Sequence, residues 1–252
     1  MMPIRLTPTV KAIMIACFAA FVIQKTGDGF FHTSIGYYFA LTPDLAVKNH
    51  YLWQLVTYAF LHADVMHLFF NLLMLAFIGS ELEMIWGRAK FLRYYFFCSI
   101  MAGITYLVIA LLADQTSTAM VGASGGIYGL LMAYGLIFSE RVLLFMMLFP
   151  MKAKQFVWVL AGIEFMSSVF SAHNAWGSVA HLGGMAAGFG LLWGQAAWRV
   201  YKRQRSESAE LRRRDKRRKS SNHLRLVVNK DKGGSKSKSN DQDSDDSPKT
   251  WH

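Results

Sequence analysis

Apolar residues run along this chain in blocks too continuous for an alternating strand and too long for most soluble helices. Six blocks approach the ~20 residues that cross a hydrocarbon core: residues 9–24, 65–85, 91–112, 121–139, 155–172 and 178–198. The first is short, and either tilts less or extends into its flanks. Between the first two lie residues 25–64, rich in aromatics but too mixed to span. A connection of that length ordinarily carries structure or function of its own. The segment VLLFMMLFPMKAK (142–154) is too short to cross and is expected to rest at an interface or against a neighbour. The pattern predicts an all-α, polytopic membrane protein: a bundle of six transmembrane helices with a long external first loop over 1–198, and a tail over 199–252.

Composition supports this. Of 252 residues, 53% are hydrophobic and 17% charged, against about a quarter charged in a soluble domain. The N-terminus, MMPIRLTPTVKAIMIACFAAFVI, sets basic residues before an apolar stretch but lacks a small-residue cleavage site, so it reads as a first membrane helix. Cys17 and Cys98 both lie in apolar segments, and neither a disulfide framework nor a metal site is expected.

Charge then sets orientation. Arg88, Lys90 and Arg93 follow the second block; Arg141, Lys152 and Lys154 follow the fourth; a basic run follows the sixth. Residues 113–120 and 172–178 contain neither Lys nor Arg. Positively charged loops stay in the cytoplasm, so both termini are expected inside and the long first loop outside, despite Lys25 and Lys48. The net charge of +11 concentrates after Arg199. The tail composition, low in hydrophobic residues from Ser206 onward, predicts disorder. Its LRRRDKRRK run is expected to meet the headgroups of anionic membrane lipids. Without aromatic interleaving or a folded module, nucleic-acid binding is not expected.

With this orientation, blocks two, four and six all run inward from the outer face. At ~1.5 Å per residue, His67, Asn71, Ser124 and His181 then share one depth, above the midplane. Taken singly, each has a plain reading: a serine bonded back to its own helix, a histidine satisfying a neighbour. Together in one layer they make function the default, because polar residues within a span are expensive. Gly122, Gly125, Gly126 and Gly129 leave the start of block four without bulk. Ala180, Gly184 and Gly188 recur every four residues in block six, a stripe that lets helices approach closely. Such an approach brings His181 within reach of Ser124, as the base that a serine nucleophile needs. Blocks two, four and six hold no carboxylate at that depth, so a dyad fits better than a triad. Tyr128 shares a face with Ser124, and either packs on the imidazole or is a core aromatic. His67 and Asn71, four residues apart, offer N–H donors to an oxyanion, with the Ser124 backbone N–H as a third.

The motifs GASGGIYG (122–129), HLFFN (67–71) and AHLGGMAAG (180–188), with ELEMIWG closing block two, resemble those of the rhomboid intramembrane serine proteases over residues 8–198. The resemblance implies Ser124 as nucleophile, His181 as base, His67 and Asn71 at the oxyanion, and Tyr128 stacked on His181. It implies transmembrane proteins as substrates, cut at or near segments with helix-weakening residues. No cofactor or metal is required, and a bacterial inner (plasma) membrane suits the small six-span form. Many relatives carry Trp-Arg in the external loop, where this chain has Trp53-Gln54. His62 fits a further loop histidine and reads as structural or water-organising. Glu164, in block five, lacks a cationic partner in the spans and reads as structural. Two other classes stand beside the protease. One is an inactive relative that binds membrane clients, which a missing Ser or His would mark. The other is a small-solute transporter, which repeated halves would mark; none are seen.

Overall fold

The structure, a computed structural model, describes residues 6–145, 149–171 and 175–228. Two units divide between Ala196 and Ala197. In the first, α1 (Pro8–Phe30) starts with a proline in its first turn, where the missing N–H costs nothing. It is longer than the apolar block alone and takes in its flanks. The connection that follows carries three short helices, α2 (Ile35–Phe39), α3 (Pro43–Lys48) and α4 (Gln54–Thr57), and a 3₁₀ turn over Tyr58–Phe60.

Asp64 caps α5 (Val65–Met74), its carboxylate accepting the His67 N–H at 2.8 Å. A π-helical turn at Leu75–Gly79 leads into α6 (Ser80–Trp86). Gly87, at φ 74°, ends α6 and opens α7 (Arg88–Leu112). Next come α8 (Ser124–Ile137), the strands β1 (Val142–Phe145) and β2 (Phe149–Lys152), α9 (Ala153–Phe170) and α10 (Ala175–Val228).

The chain is thus predominantly helical rather than purely so. Within the segment 142–154, whose residues 146–148 lie outside the described residues, β1 and β2 pair antiparallel, Val142 facing Lys152 and Phe145 facing Phe149. Its β-branched and aromatic ends suit a strand, and a ribbon satisfies backbone groups that a segment too short to span leaves open.

Among the described residues, Pro8–Phe30, Val65–Trp86 and Arg88–Leu112 are long and apolar enough to cross a membrane. Their outward faces carry Ile15, Phe18, Phe69, Phe70 and Leu112, all exposed. A continuous apolar surface of that kind is what lipid, not water, covers. The core joins Val10, Ile13 and Cys17 of α1 with Leu68, Leu75 and Leu82 of the second span, Phe91, Tyr94, Tyr95 and Cys98 of α7, and Leu130 and Leu131 of α8. Lipid tails are as apolar as these side chains, so close packing and hydrogen bonds hold such helices together. Tyr58 Oη donates to the Ser99 carbonyl at 2.6 Å and Tyr94 Oη to the Gly129 carbonyl at 3.0 Å.

Helix α8 has 14 residues, about 21 Å of rise against a core of ~30 Å. Residues 113–123 before it are not helical, and backbone of that kind is tolerated at depth only where protein buries it. Here Leu41 and Met120 exchange backbone hydrogen bonds at 3.0 and 2.9 Å, Gly122 N donates to Tyr58 O at 2.9 Å, and Asp44 N donates to Thr116 O at 3.0 Å. The first loop therefore holds the segment leading into α8.

In that loop Gln54 is fully buried. Its Oε1 accepts from Thr42 N at 3.1 Å and its Nε2 donates to the Tyr37 and Tyr38 carbonyls at 3.2 Å each. Trp53 Nε1 donates to the same Tyr38 carbonyl at 2.9 Å. Gln54 is thus a neutral clamp with all three contacts internal to the loop.

The second unit starts at Ala197, and its described residues belong to α10, which runs helical to Val228, where composition predicted disorder. Residues 229–252 lie outside the described residues. The reason for helix is local: Arg, Lys, Glu and Ala favour it, and Arg203–Glu207 and Arg214–Glu210 pair one turn apart at 2.9 and 2.7 Å. Exposed pairs of this kind each contribute a few tenths of a kcal/mol.

Candidate functional site

The site is built where α8 begins. Gly122 has φ 127°, a conformation costly for any residue with a Cβ, and a Cβ there would lie 2.8 Å from His67 Cε1 and Nε2. The glycine thus provides both the turn and the space for the His67 ring. Ser124 is the first residue of α8, and no side chain among the described residues caps that helix. Its opening N–H groups and the positive end of its dipole therefore face the site without a capping partner.

Close approach of α8 and α10 follows from Gly184. A Cβ there would fall 2.2 Å from the Gly125 carbonyl oxygen, so only glycine lets the two backbones meet at this height. The meeting brings His181 Nε2 to 2.7 Å from Ser124 Oγ. The His181 imidazole lies flat on the Tyr128 ring, centroids 4.1 Å apart and planes 6° apart. Tyr128 Oη in turn donates to Glu164 Oε1. That same oxygen lies 3.0 Å from His181 Nδ1, and the Ser178 hydroxyl is a further hydrogen-bond partner of the carboxyl. Both Glu164 and Ser178 are buried.

A cavity of about 120 Å³ opens onto this pair, lined by His67, Gly122, Ser124, Gly125, Ala180 and His181 among others. Of the residues expected at the site, Ser124, His181, Tyr128, Gly122, Gly125 and His67 are brought together. Asn71 lies one turn further along α5, outside the cavity lining. It is buried, and its Nδ2 has no hydrogen-bond partner among the described residues. A donor left open in this way is costly unless something arrives to use it.

His62 packs edge-on against His67, centroids 5.2 Å apart. It lies in the turn before α5, fully buried, with Nδ1 3.2 Å from the Phe60 carbonyl. Burial, and after it the neighbouring His67, push the His62 ring down to about 4, so it is neutral at pH 7. Exposed Asp64 is held below its usual range by the His67 N–H that it accepts.

Sequence reasoning read Glu164 as structural and did not place it beside His181, where it lies. The search for a carboxylate covered only the three helices bearing the polar layer, whereas Glu164 is on α9. The signal was present in the element ends. Glu164 stands six residues before the end of α9 and His181 six residues after the start of α10. Antiparallel neighbours joined there hold those positions level.

The membrane-spanning region that carries this serine and histidine resembles known proteins. A family model for the Rhomboid domain matches residues 49–198, and the chain belongs to the rhomboid family. It is 34% identical over 153 residues to the YdcA protein of Bacillus subtilis (strain 168), named as a candidate rhomboid protease, covering 58% of this chain and 68% of that one. It is 27% identical over 183 residues to rhomboid-related protein 3 of Homo sapiens, covering 68% of this chain and 41% of that one. To rhomboid protease GluP of Bacillus subtilis (strain 168) it is 31% identical over 138 residues, covering 54% of this chain and 25% of that one. The chain thus spans less than half the length of the human relative and a quarter of GluP. Family membership and the apolar spans make it an integral membrane protein.

Proposed function

We propose that the chain is an intramembrane serine endopeptidase that hydrolyses peptide bonds in or near transmembrane segments of membrane proteins. The observation that carries this reading is the 2.7 Å contact between Ser124 Oγ and His181 Nε2 at the uncapped start of α8. His181 Nε2 takes the Ser124 hydroxyl proton as Oγ attacks the scissile carbonyl carbon. The resulting oxyanion draws on the Ser124 backbone N–H, His67 and Asn71, and on the α8 dipole. His181 returns the proton to the leaving amine, the C–N bond breaks, and an acyl-Ser124 ester remains. Water then attacks that ester, giving its proton to His181; the acyl C–O bond breaks, His181 returns the proton to Ser124 Oγ, and the acid product leaves. Tyr128 holds the imidazole flat, while Gly122 leaves room for the His67 ring and Gly125 lets the start of α8 close on Ala102 and Tyr58.

In this reading residues 1–198 form a six-span bundle with a long external first loop, and residues 199–252 form a basic cytoplasmic tail. Both termini lie in the cytoplasm, the membrane is a bacterial plasma membrane, and membrane lipids meet the tail. Substrates with helix-weakening residues unfold locally to present an extended strand to Ser124. Their entry past α9 is favoured by that helix's largely exposed apolar face, which includes Trp158, Phe165 and Phe170.

The test is cleavage of a single-span model substrate in liposomes by the full chain, beside Ser124→Ala and His181→Ala. Cleavage by the wild type that both substitutions abolish supports the proposal. A folded wild type that cuts no member of a broad panel contradicts it and favours an inactive, client-binding relative. Cleavage surviving in Ser124→Ala removes the nucleophile from the scheme.

A further inference from the structure

We propose that Glu164 is a positioning residue for His181, so that the serine and histidine work with a third, acidic partner drawn from α9. The inference rests on the serine-protease reading and deepens it. Ser124 Oγ lies 2.7 Å from one ring nitrogen of His181, and Glu164 Oε1 lies 3.0 Å from the other. For Nε2 to accept the serine proton, the neutral ring must carry its hydrogen on Nδ1. A carboxylate only accepts, so its presence beside Nδ1 favours that tautomer over the reverse.

The contact also has the sign that the reaction needs. Nδ1 has no straight hydrogen-bond partner among the described residues, so its approach to Oε1 is chiefly electrostatic. An electrostatic contact of this kind is weak while the ring is neutral. It strengthens when the ring takes the Ser124 proton and becomes an imidazolium, and stabilisation that appears only then raises the rate rather than the affinity.

A carboxylate within an apolar helix is expensive, and buried Glu164 lies against His181 and Tyr128, where its charge can be used. The groups around Glu164 hold it on His181. Tyr128 Oη donates to Oε1, the oxygen that faces Nδ1, while the ring of the same tyrosine stacks on the imidazole. One residue therefore fixes both partners, and Ser178 adds a bond to the carboxyl from α10 itself.

The competing role is purely structural: Glu164 as acceptor for Tyr128, tying α8 to α9. Glu164→Gln separates the two, because glutamine keeps the size and the acceptor oxygen but loses the charge. The full chain in liposomes is assayed on a single-span model substrate, with Ser124→Ala as blank. The expected result is kcat lower by about 10- to 100-fold, from loss of an electrostatic contact that strengthens as the ring gains its proton. KM and the thermal unfolding midpoint stay at the wild-type values. A kcat within about twofold of wild type overturns the proposal. Should Glu164→Gln fail to fold, Glu164→Asp decides, since it keeps the charge but withdraws it by one methylene; there kcat falls at least about tenfold with KM unchanged, and an unchanged kcat overturns the proposal. A second readout needs no Glu164 variant. In ¹⁵N-histidine-labelled wild type, with His181 assigned by difference from His181→Ala, the neutral ring carries its proton on Nδ1; an Nε2–H tautomer overturns the proposal. Failure of the underlying protease reading looks different, as an inactive wild type or an active Ser124→Ala.

Discussion

Gly184→Ala is a change of one methyl group, with its consequence set by geometry. The added Cβ falls 2.2 Å from the Gly125 carbonyl oxygen and 3.1 Å from its carbon, both backbone atoms that cannot swing aside. Ordinary contact starts at 3.4 Å, so α8 and α10 must part by about 1.2 Å at this height. Ser124 lies one residue from Gly125, and His181 three from Gly184. Most of the parting therefore falls on the 2.7 Å Ser124–His181 contact, which opens to about 3.5–4 Å and ceases to be a hydrogen bond. A misplacement of about 1 Å costs on the order of 10²-fold in rate. Stability falls by about 1–3 kcal/mol from overpacking, offset in part by alanine's better helix propensity, up to about 1 kcal/mol. Gly190→Ala is the control, since nothing lies within 4 Å of a Cβ there, and it keeps full activity. The assay is single-span substrate cleavage in liposomes, read with thermal unfolding of the same preparations. Gly184→Ala active within about threefold of wild type would refute the claim that backbone contact sets the Ser124–His181 distance.

Further predictions concern the surrounding residues. Asn71→Ala lowers kcat by about 10²–10³-fold with KM unchanged, as expected for loss of an oxyanion donor; a change in KM alone would remove Asn71 from that role. Gln54→Ala removes the partner of the buried Thr42 N–H and of the Tyr37 carbonyl, while the Tyr38 carbonyl keeps Trp53 Nε1; it costs about 1–3 kcal/mol, seen as a lower unfolding midpoint, whereas an unchanged midpoint would mean the loop is held elsewhere. The His62 pKa is depressed from 6.5 to about 4 in the folded chain, so between those values the unfolded chain binds the extra proton. Stability is therefore level above pH 6.5 and falls by up to about 3 kcal/mol as pH drops towards 4. His62→Phe, which cannot titrate, flattens that slope; an unchanged slope would place its origin in another group.

What the sequence made legible were features of single segments. Long apolar blocks reappear as α1, the Val65–Trp86 span and α7, because length and hydropathy need no partner to be read. The polar layer was legible because helical rise converts position into depth, which put Ser124 and His181 level before any contact was known. Glu164 was not legible as a partner of His181, because that depends on which helix sits beside α10 and on the facing of a single side chain. Gln54 read as a missing arginine, but its burial and its three backbone contacts depend on how the first loop folds back on itself. The pairing of β1 with β2 and the helix reaching Val228 were hidden for a different reason. Short apolar runs and charged, low-complexity runs each fit two conformations, and local pairing chooses between them.

The central claim is that His181 makes Ser124 a nucleophile. Its most direct measurement is covalent capture: the full chain in liposomes is treated with a fluorophosphonate, and the adduct is located by peptide mass spectrometry. The account predicts one modified serine, Ser124, with labelling at least about 10²-fold slower in folded His181→Ala. Labelling of Ser124 at the same rate without His181, or none in a folded wild type, would contradict it.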